Sequence, residues 1–252
     1  MTLDTSKAMV ILGVLLALGM SSGAFILGIQ AKQIGAGKQS ISVKGLAEKP
    51  VTADYAEWTV GLRVQGATFA EALAKLRAER PGLDTFLGAQ GFAADALTGG
   101  KETVTPNIVT EEVAEGRTRQ VQRGFNAAQD ILITSKNLPG IEAAHKAMLQ
   151  FQAEGHPVVY EDPSFLVSNL EDIKMSLIGA ATQNAQRRAQ EFARNGNAAV
   201  GAMRSASQGA FYILPAGASV DSNDYGYGGT YDKTTISKTA RVVVTIDYSI
   251  AQ

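Results

Sequence analysis

Hydrophobic and polar residues follow three different patterns along the chain, and each pattern predicts a different structure. Residues 8–29 carry no charge and predict one long apolar helix. After a polar linker, alternation at Ser40–Leu46 and Ala53–Gln65 predicts two half-buried strands, with Trp58 on the inward face of the second. Helical spacing begins at Thr68, where Thr-x-x-Glu matches a capping box. Strands and helices are therefore expected to be mixed along the chain.

The rest of the chain continues this mixed pattern. The further predicted elements are a helix to about Gln90, hairpin strands at 101–115 and 120–134, a helix from Asn137 to Gly155, a strand at 157–168, a helix at 171–195, and strands at 201–214 and 235–248. The predicted order is ββαββαβαββ. Helices scattered among strands, several of them joined as hairpins, favour an α+β domain over a doubly wound parallel sheet.

One predicted helix carries a regular stripe of small residues. Ala181, Ala185, Ala189 and Ala193 recur every four positions, while arginines lie on the opposite face. A stripe of alanines allows a helix to approach a sheet or another helix closely. We interpret the stripe as a packing face.

The apolar run at residues 8–29 predicts a transmembrane helix. At about 1.5 Å per residue it extends about 33 Å, enough to cross a hydrocarbon core of about 30 Å. The run is longer than the apolar part of a signal peptide, and no Ala-x-Ala cleavage site follows it. We expect an uncleaved signal-anchor in the lipid bilayer. This divides the chain into a tail at 1–7, the anchor at 8–29, a linker at 30–39 and an α+β domain at 40–252.

The predicted anchor leaves its orientation and its own partners open. One lysine precedes the span and Lys32, Lys38, Lys44 and Lys49 follow it, which by the positive-inside rule would place the C-terminal domain in the cytoplasm. The spacing of Gly19 and Gly23 matches a G-x-x-x-G motif for close pairing of membrane helices. We therefore consider Gly19 and Gly23 a candidate helix-pairing face.

Composition removes several classes of function. The formal net charge is −1 and no five like charges are consecutive, so nucleic acid is not an expected partner. The chain has no cysteine, which excludes disulfides, thiolate nucleophiles and zinc–thiolate sites.

No catalytic, cofactor-binding or metal-binding residues are predicted. The two histidines, His145 and His156, are eleven residues apart and match no compact metal motif. Gly19–Gly23 also reads G-x-S-x-G, but a nucleophile elbow requires a strand-to-helix turn and not a membrane helix. Adjacent acid pairs on strands, such as Glu111-Glu112, point to opposite faces and cannot act together.

A glycine- and tyrosine-rich stretch, SNDYGYGGTYDK, lies in the connection between the last two predicted strands. Phosphate loops lead from a strand into a helix, and no helix follows here. A calcium loop would use Asp221, Asn223 and Asp232, but Tyr225 occupies a ligand position. The loop, about Ala216–Thr234, is either simply exposed or a contact surface. We take Tyr225, Tyr227 and Tyr231 as candidate anchors of an oligomer interface.

Together these stretches resemble the SIMPL-domain family of bacterial envelope proteins. The resemblance covers about Ser40 to Tyr248 and is carried by ISVKGLAEKPVTADYAEWTVGLRV, GFNAAQDILIT, NAQRRAQEFA and ISKTARVVVTIDYSI. One departure is Ala53-Asp54, where the family often has Pro-Asp. The resemblance implies a periplasmic or surface-exposed domain, assembly into large homo-oligomeric rings or barrels in some members, and a link to oxidative stress in others. It supplies no catalytic residues.

The sequence as a whole predicts a membrane-anchored envelope protein that assembles with itself and is not an enzyme. The resemblance places its C-terminal domain outside the cytoplasm, against the lysine count. Two other functions stay open: a periplasmic ligand-binding module, and a hydrolase with an unrecognised serine or acid pair.

Overall fold

The computed structural model describes residues 9, 12–25, 39–113, 116–218 and 229–251, and they form an α+β fold. The helices are α1 (12–25), α2 (Phe69–Ala89), α3 (Leu138–Ala153) and α4 (Leu170–Asn195). The strands are β1 (Ser40–Thr52), β2 (Tyr55–Gly66), β3 (Leu97–Gly99), β4 (Thr103–Val113), β5 (Arg117–Ser135), β6 (Val158–Tyr160), β7 (Ser164–Leu166), β8 (Ala199–Pro215) and β9 (Ser237–Ala251). The α+β class predicted from the sequence is confirmed.

The predicted element order needs two corrections. The short strand β3 was not predicted, because three residues are too few to show alternation. The strand predicted at 157–168 is two strands, β6 and β7, separated at Glu161–Pro163. Pro163 has no N–H to donate to β2, and the register of pairing with β2 shifts by one residue between β6 and β7.

The predicted membrane helix is described only in part. Residues 12–25 are helical, and the other residues of the predicted span, apart from residue 9, lie outside the described residues. In the part of the chain that the structure describes, no helix has both the length and the hydropathy needed to cross a bilayer.

The chain packs as two compact units. Unit 1 comprises Met1–Ala47, Leu177–Gly209 and Val242–Gln252, and unit 2 comprises Glu48–Ser176 and Ala210–Arg241. The strands β1, β8 and β9 and the helix α4 each contribute residues to both units. These three strands form one sheet with the order β1-β9-β8, and the remaining strands form a second sheet around β2 and β5.

Unit 2 has the larger core. Its second sheet is antiparallel, with β5 next to β2 from Ala56↔Ser135 to Gly66↔Phe125. The predicted inward face of β2 is confirmed, because Trp58, Val60 and Leu62 are buried. Helices α2 and α3 cover this face with the buried side chains Ala72, Leu76, Leu83, Leu87, Leu138, Ile141, Ala144, Met148 and Phe151.

The helix caps of unit 2 also follow the sequence. Thr68 accepts a hydrogen bond from the N–H of Glu71, and Asn137 accepts one from the N–H of Gly140. Pro81 does not divide α2, which is one helix from Phe69 to Ala89.

Unit 1 is built on a close approach between α4 and β1. The predicted alanine stripe is confirmed as a packing face, because all four alanines are buried. Gly45 of β1 lies directly beneath it. A Cβ built on Gly45 would be 2.0 Å from the carbonyl oxygen of Ala181 and 2.8 Å from the Cβ of Ala185. Only glycine therefore allows α4 to lie at this distance from the strand.

This packing predicts that Gly45→Ala destabilises the protein although the change adds a single methyl group. The helix must move away from β1, which costs about 1–3 kcal/mol of unfolding free energy, measured by urea denaturation. The control is Gly179→Ala in the same helix, where an added Cβ meets nothing within 4 Å. That variant should be neutral or slightly stabilised, since alanine favours a helix. Equal effects of the two changes would contradict the close-packing model.

Candidate functional site

Of the three tyrosines predicted as interface anchors, the structure describes one. Tyr225 and Tyr227 lie outside the described residues, so their interface role stays a prediction. Tyr231 is half-buried, and its hydroxyl oxygen accepts a hydrogen bond from the N–H of Val167 at 2.8 Å. Burial raises the pKa of the Tyr231 hydroxyl. At least the tip of this side chain is therefore engaged within its own chain.

Tyr231 belongs to a segment that is fastened to β8. The N–H of Ile213 donates to the carbonyl of Thr230 at 2.8 Å, and the N–H of Asp232 donates to the carbonyl of Ile213 at 2.8 Å. These bonds form a parallel bridge between Ile213 and Tyr231. The segment from Thr230 to Asp232 therefore covers the outer edge of β8 within unit 2.

A buried ion pair holds the end of this segment. The Nζ of Lys238 lies 3.0 Å from Oδ2 of Asp232 and 2.6 Å from its carbonyl oxygen. The two side chains are 0% and 7% exposed. A charge this far from water is tolerated only with a partner and with hydrogen bonds to its remaining polar atoms.

Asp232 obtains those additional hydrogen bonds from the next turn. The N–H and hydroxyl of Thr234 donate to its Oδ1 at 2.9 and 2.8 Å, and the hydroxyl of Thr235 donates to Oδ2. Burial alone would raise the pKa of Asp232, but the hydrogen bonds from Thr235, Thr234 and Lys238 outweigh it and hold the pKa well below its usual range. Asp232, considered above as a calcium ligand, is thus already neutralised by Lys238.

The buried pair was missed at the sequence level, although two signals point to it. Lys238 lies in β9 on the same face as Ala240, Val242 and Val244, which are buried. A lysine in register with a buried face requires a partner. The sequence Asp-x-Thr-Thr is typical of a turn in which the aspartate side chain accepts backbone hydrogen bonds.

Helix α4 occupies part of the outer edge of β1 in unit 1. The N–H of Leu46 donates to Oδ1 of Asn184 at 3.2 Å, and Nη1 of Arg188 donates to the carbonyl of Lys44 at 3.1 Å. Residues 44 and 46 direct their backbone groups to the same side of a strand. Side chains of α4 therefore occupy groups that would otherwise be available to another strand.

The opposite edge of the same sheet is open in unit 1. All residues from Ala202 to Gly209 of β8 are exposed, on both faces of the strand. Among the described residues, no strand pairs with this part of β8 on the side away from β9. Its side chains are uncharged except Arg204. Such an edge presents unpaired donors and acceptors to another strand.

The edge strands of unit 2 are protected in other ways. Strand β4 contains Pro106, and its pairing with β5 shifts register between Pro106 and Ile108. Glu111 on β4 is paired with Arg123. Strands β6 and β7 have three residues each. Bulges, charges and short length all discourage the addition of a further strand.

The histidines are each paired with an acid. Nε2 of His145 lies 3.3 Å from Asp162, and Nδ1 of His156 lies 3.4 Å from Glu79. His156 also stacks on Phe151 with a centroid distance of 3.9 Å. Within the ranges that the structure covers, no group of three His, Asp or Glu side chains is arranged to hold a metal ion.

Gly19 and Gly23, the predicted helix-pairing face, both lie on α1. A Cβ on either residue would meet no atom of the described chain within 4 Å. Pairing of α1 with another helix stays a prediction.

The fold defines an α+β protein in which a helix occupies part of one edge of a three-stranded sheet and the other edge is open from Ala202 to Gly209. The family model SIMPL, described as a protein of unknown function (DUF541), matches residues 41–247. The chain belongs to the SIMPL family, which confirms the resemblance found in the sequence. A comparison with curated proteins gave no match.

The buried pair predicts a pH-dependent stability. Asp232→Asn leaves Lys238 buried without an opposite charge, so we expect a loss of about 3–5 kcal/mol at pH 7, measured by urea denaturation. The pKa of Asp232 is lowered by folding, so its stabilisation is complete above the unfolded value of 3.8 and declines as pH falls below it. The difference between wild type and variant should therefore shrink from pH 4 to pH 3.

The matched control is Glu48→Gln. Glu48 is more exposed than Asp232 and lies 3.4 Å from Arg241, which belongs to β9 as Lys238 does. That change should cost below about 1 kcal/mol. A similar loss of unfolding free energy in both variants would show that the buried pair does not stabilise the fold as expected. The same conclusion would follow if the difference in unfolding free energy between wild type and Asp232→Asn became larger as the pH falls.

Proposed function

We propose that this protein is an envelope protein, anchored in the membrane by residues 8–29, whose activity is to assemble with copies of itself. Its α+β domain lies outside the cytoplasm. Any contribution to stress defence does not use thiol chemistry, because the chain has no cysteine. The observation that carries the proposal is the open edge of β8 from Ala202 to Gly209.

An open edge favours a strand as its partner. Each unpaired N–H and C=O group along the edge gains a hydrogen bond when another strand adds beside it. A long edge of this kind is a liability for a protein that works alone. The other edges are partly occupied by α4 side chains, bulged, charged or short. The longer open stretch of β8 therefore supports a binding role for that strand.

A second β8 is a suitable partner for the first. Two copies can pair antiparallel about a two-fold axis, and the same surface then serves both subunits. Strand β8 contains no acidic residue and Arg204 is its single charged residue, so the paired edges need not bring several like charges together. The joined sheet would have six strands, three from each subunit.

A larger ring requires a second contact. A two-fold interface between identical surfaces joins two subunits, and neither surface can then bind a third. A ring built from such pairs therefore needs a different surface to connect them. The tyrosine loop, Ala216–Thr234, is our candidate for that surface. Tyrosine gives large contact area at a low cost in conformational entropy.

The edge contact is tested with Ala206→Lys/Gln208→Lys. With Arg204, the variant carries three cations on one face of the edge, and antiparallel pairing would bring six cations along one seam. We expect the subunit pair to dissociate while the fold persists. The measurement is the particle mass of the full chain in nonionic detergent, with circular dichroism to verify folding.

The matched control is Ala143→Lys/Gln150→Lys, which adds the same charge at exposed positions of α3. Its particle mass should equal that of the wild type. A wild-type chain that is monomeric would contradict self-assembly itself, whereas an unchanged mass in the β8 variant would contradict only the edge contact.

The tyrosine loop is tested separately with Tyr225→Ser/Tyr227→Ser. Loss of an interface anchor commonly costs about 2 kcal/mol, and the cost recurs at every copy of the contact. We expect large particles to be replaced by dimers, because the β8 contact is untouched. Tyr231→Phe is the control, since it removes the hydroxyl that bonds to Val167 but keeps the ring. Large particles that persist in the double variant would show that the loop does not connect the pairs.

A further inference from the structure

The short strand β6 has a histidine–carboxylate pair at each of its ends. Nδ1 of His156, two residues before β6, lies 3.4 Å from Oε2 of Glu79 on α2. Nε2 of His145 on α3 lies 3.3 Å from Oδ1 of Asp162, two residues after β6. The chain has two histidines. Both therefore tie the same strand to the helices that cover the core of unit 2.

Aromatic contacts hold the two imidazole rings in position. The ring of His156 stacks on Phe151, with the centroids 3.9 Å apart. The ring of His145 lies edge-on to Trp58 and Tyr160, with centroid distances of 5.8 and 5.4 Å. The two histidine side chains are 28% and 34% exposed. Each ring is therefore fixed beside its carboxylate and is still in contact with water, so it can exchange a proton with the solvent.

Strand β6 itself is held by few contacts. It has three residues and pairs with β2. Gln152 donates a side-chain hydrogen bond to the carbonyl of Val158, and Trp58 donates one to the carbonyl of Glu161. Neither donor changes its charge with pH. Short strands at the edge of a sheet open more readily than its centre, so the two histidine pairs contribute a large share of what holds β6 in place.

Protonation determines the strength of both pairs. Histidine is the side chain that ordinarily changes charge between pH 5 and 8, whereas carboxylates are ordinarily ionised throughout this range. A protonated imidazole forms an ion pair with its carboxylate, and a cation on His156 is also attracted to the face of Phe151. The stabilisation is therefore present in mild acid and is lost as the pH rises and the proton leaves.

The surrounding charges leave each ring with one carboxylate partner. Other charged residues lie within four positions of the paired groups: Lys75, Arg77 and Arg80 on α2, Glu142 and Lys146 on α3, Glu154 at its end, and Glu161 beside Asp162. The three cations of α2 are paired with other acids. On β2 the charged residues, Glu57 and Arg63, point to the face opposite the helices. Within the described ranges, the histidines form ion pairs with Glu79 and Asp162 alone.

We propose that the two histidines form a pH-dependent clamp on β6. In mild acid the protonated rings fasten the two ends of the strand to α2 and α3, and near pH 8 the neutral rings release it. Release uncovers the backbone of β2 around Gly61, which pairs with Val159 of β6. The clamp consists of contacts within unit 2 and depends neither on the membrane anchor nor on self-assembly.

The test is hydrogen–deuterium exchange of the full chain in nonionic detergent at pH 5.5 and pH 8.0, measured by mass spectrometry. Exchange rates are divided by the intrinsic rate at each pH to give protection factors. We expect the protection of residues 157–161 to be about 3- to 10-fold higher at pH 5.5, because two exposed ion pairs act on one strand. At pH 8.0 it should be well below the protection of residues 131–133 in β5, which shows that β6 opens by itself.

Two double variants remove the clamp from opposite sides. His145→Gln/His156→Gln should abolish the difference in protection between the two pH values. Glu79→Gln/Asp162→Asn keeps both rings and should reduce the difference to below about twofold, since the charge partners are lost. Circular dichroism verifies that both variants are folded.

The matched control is Asp95→Asn/Glu112→Gln, which removes the same charge from exposed acids of unit 2 and should keep the wild-type difference. Equal protection of residues 157–161 at both pH values, or higher protection at pH 8.0, would overturn the clamp. So would an unchanged difference in either double variant, or its loss in the control. Protection equal to that of β5 at pH 8.0 would show that β6 opens only when the whole unit unfolds, which also overturns it.

Discussion

The close approach of α4 to β1 is the constraint on which the features of unit 1 depend. Gly45 has no Cβ, and the facing positions of the helix are alanines, so the helix backbone lies almost against the strand. At this distance Asn184 and Arg188 reach the backbone of β1 and satisfy two groups of its outer edge, the N–H of Leu46 and the carbonyl of Lys44. The same approach forms a groove between the two elements, lined by residues that include Val43 and Asn184. Larger residues along this contact would remove both features together.

A different interaction fastens the segment before β9 in unit 2. Lys238 and Asp232 are removed from water, and their attraction offsets the cost of desolvation only because the threonines and a backbone carbonyl complete their hydrogen bonds. A buried pair of this kind specifies one arrangement, since any shift of the segment separates the charges. It therefore fixes the position at which the tyrosine-rich connection returns to the sheet.

Patterns within a few residues allowed much of the fold to be predicted. The capping box at Thr68, the alternation that buries Trp58 and the alanine stripe of α4 each depend on neighbours in sequence, and each is confirmed. The split between β6 and β7 depends on Pro163, which a pattern of alternation does not show. The candidate sites depend on contacts between distant residues: Leu46 with Asn184 and Lys44 with Arg188. Spacing along the chain carries no information about those pairs.

The two edges of the unit 1 sheet have opposite properties, and this difference limits what assembly through the sheet can produce. If both edges were open, subunits could add edge to edge without limit, as strands do in fibrils. With part of the β1 edge occupied by α4, pairing of β8 with a second β8 uses the open edge of both subunits and leaves a partly occupied edge at each end. The proposed β8 contact therefore leads to a finite pair, and the size of any larger assembly must be set by a second surface.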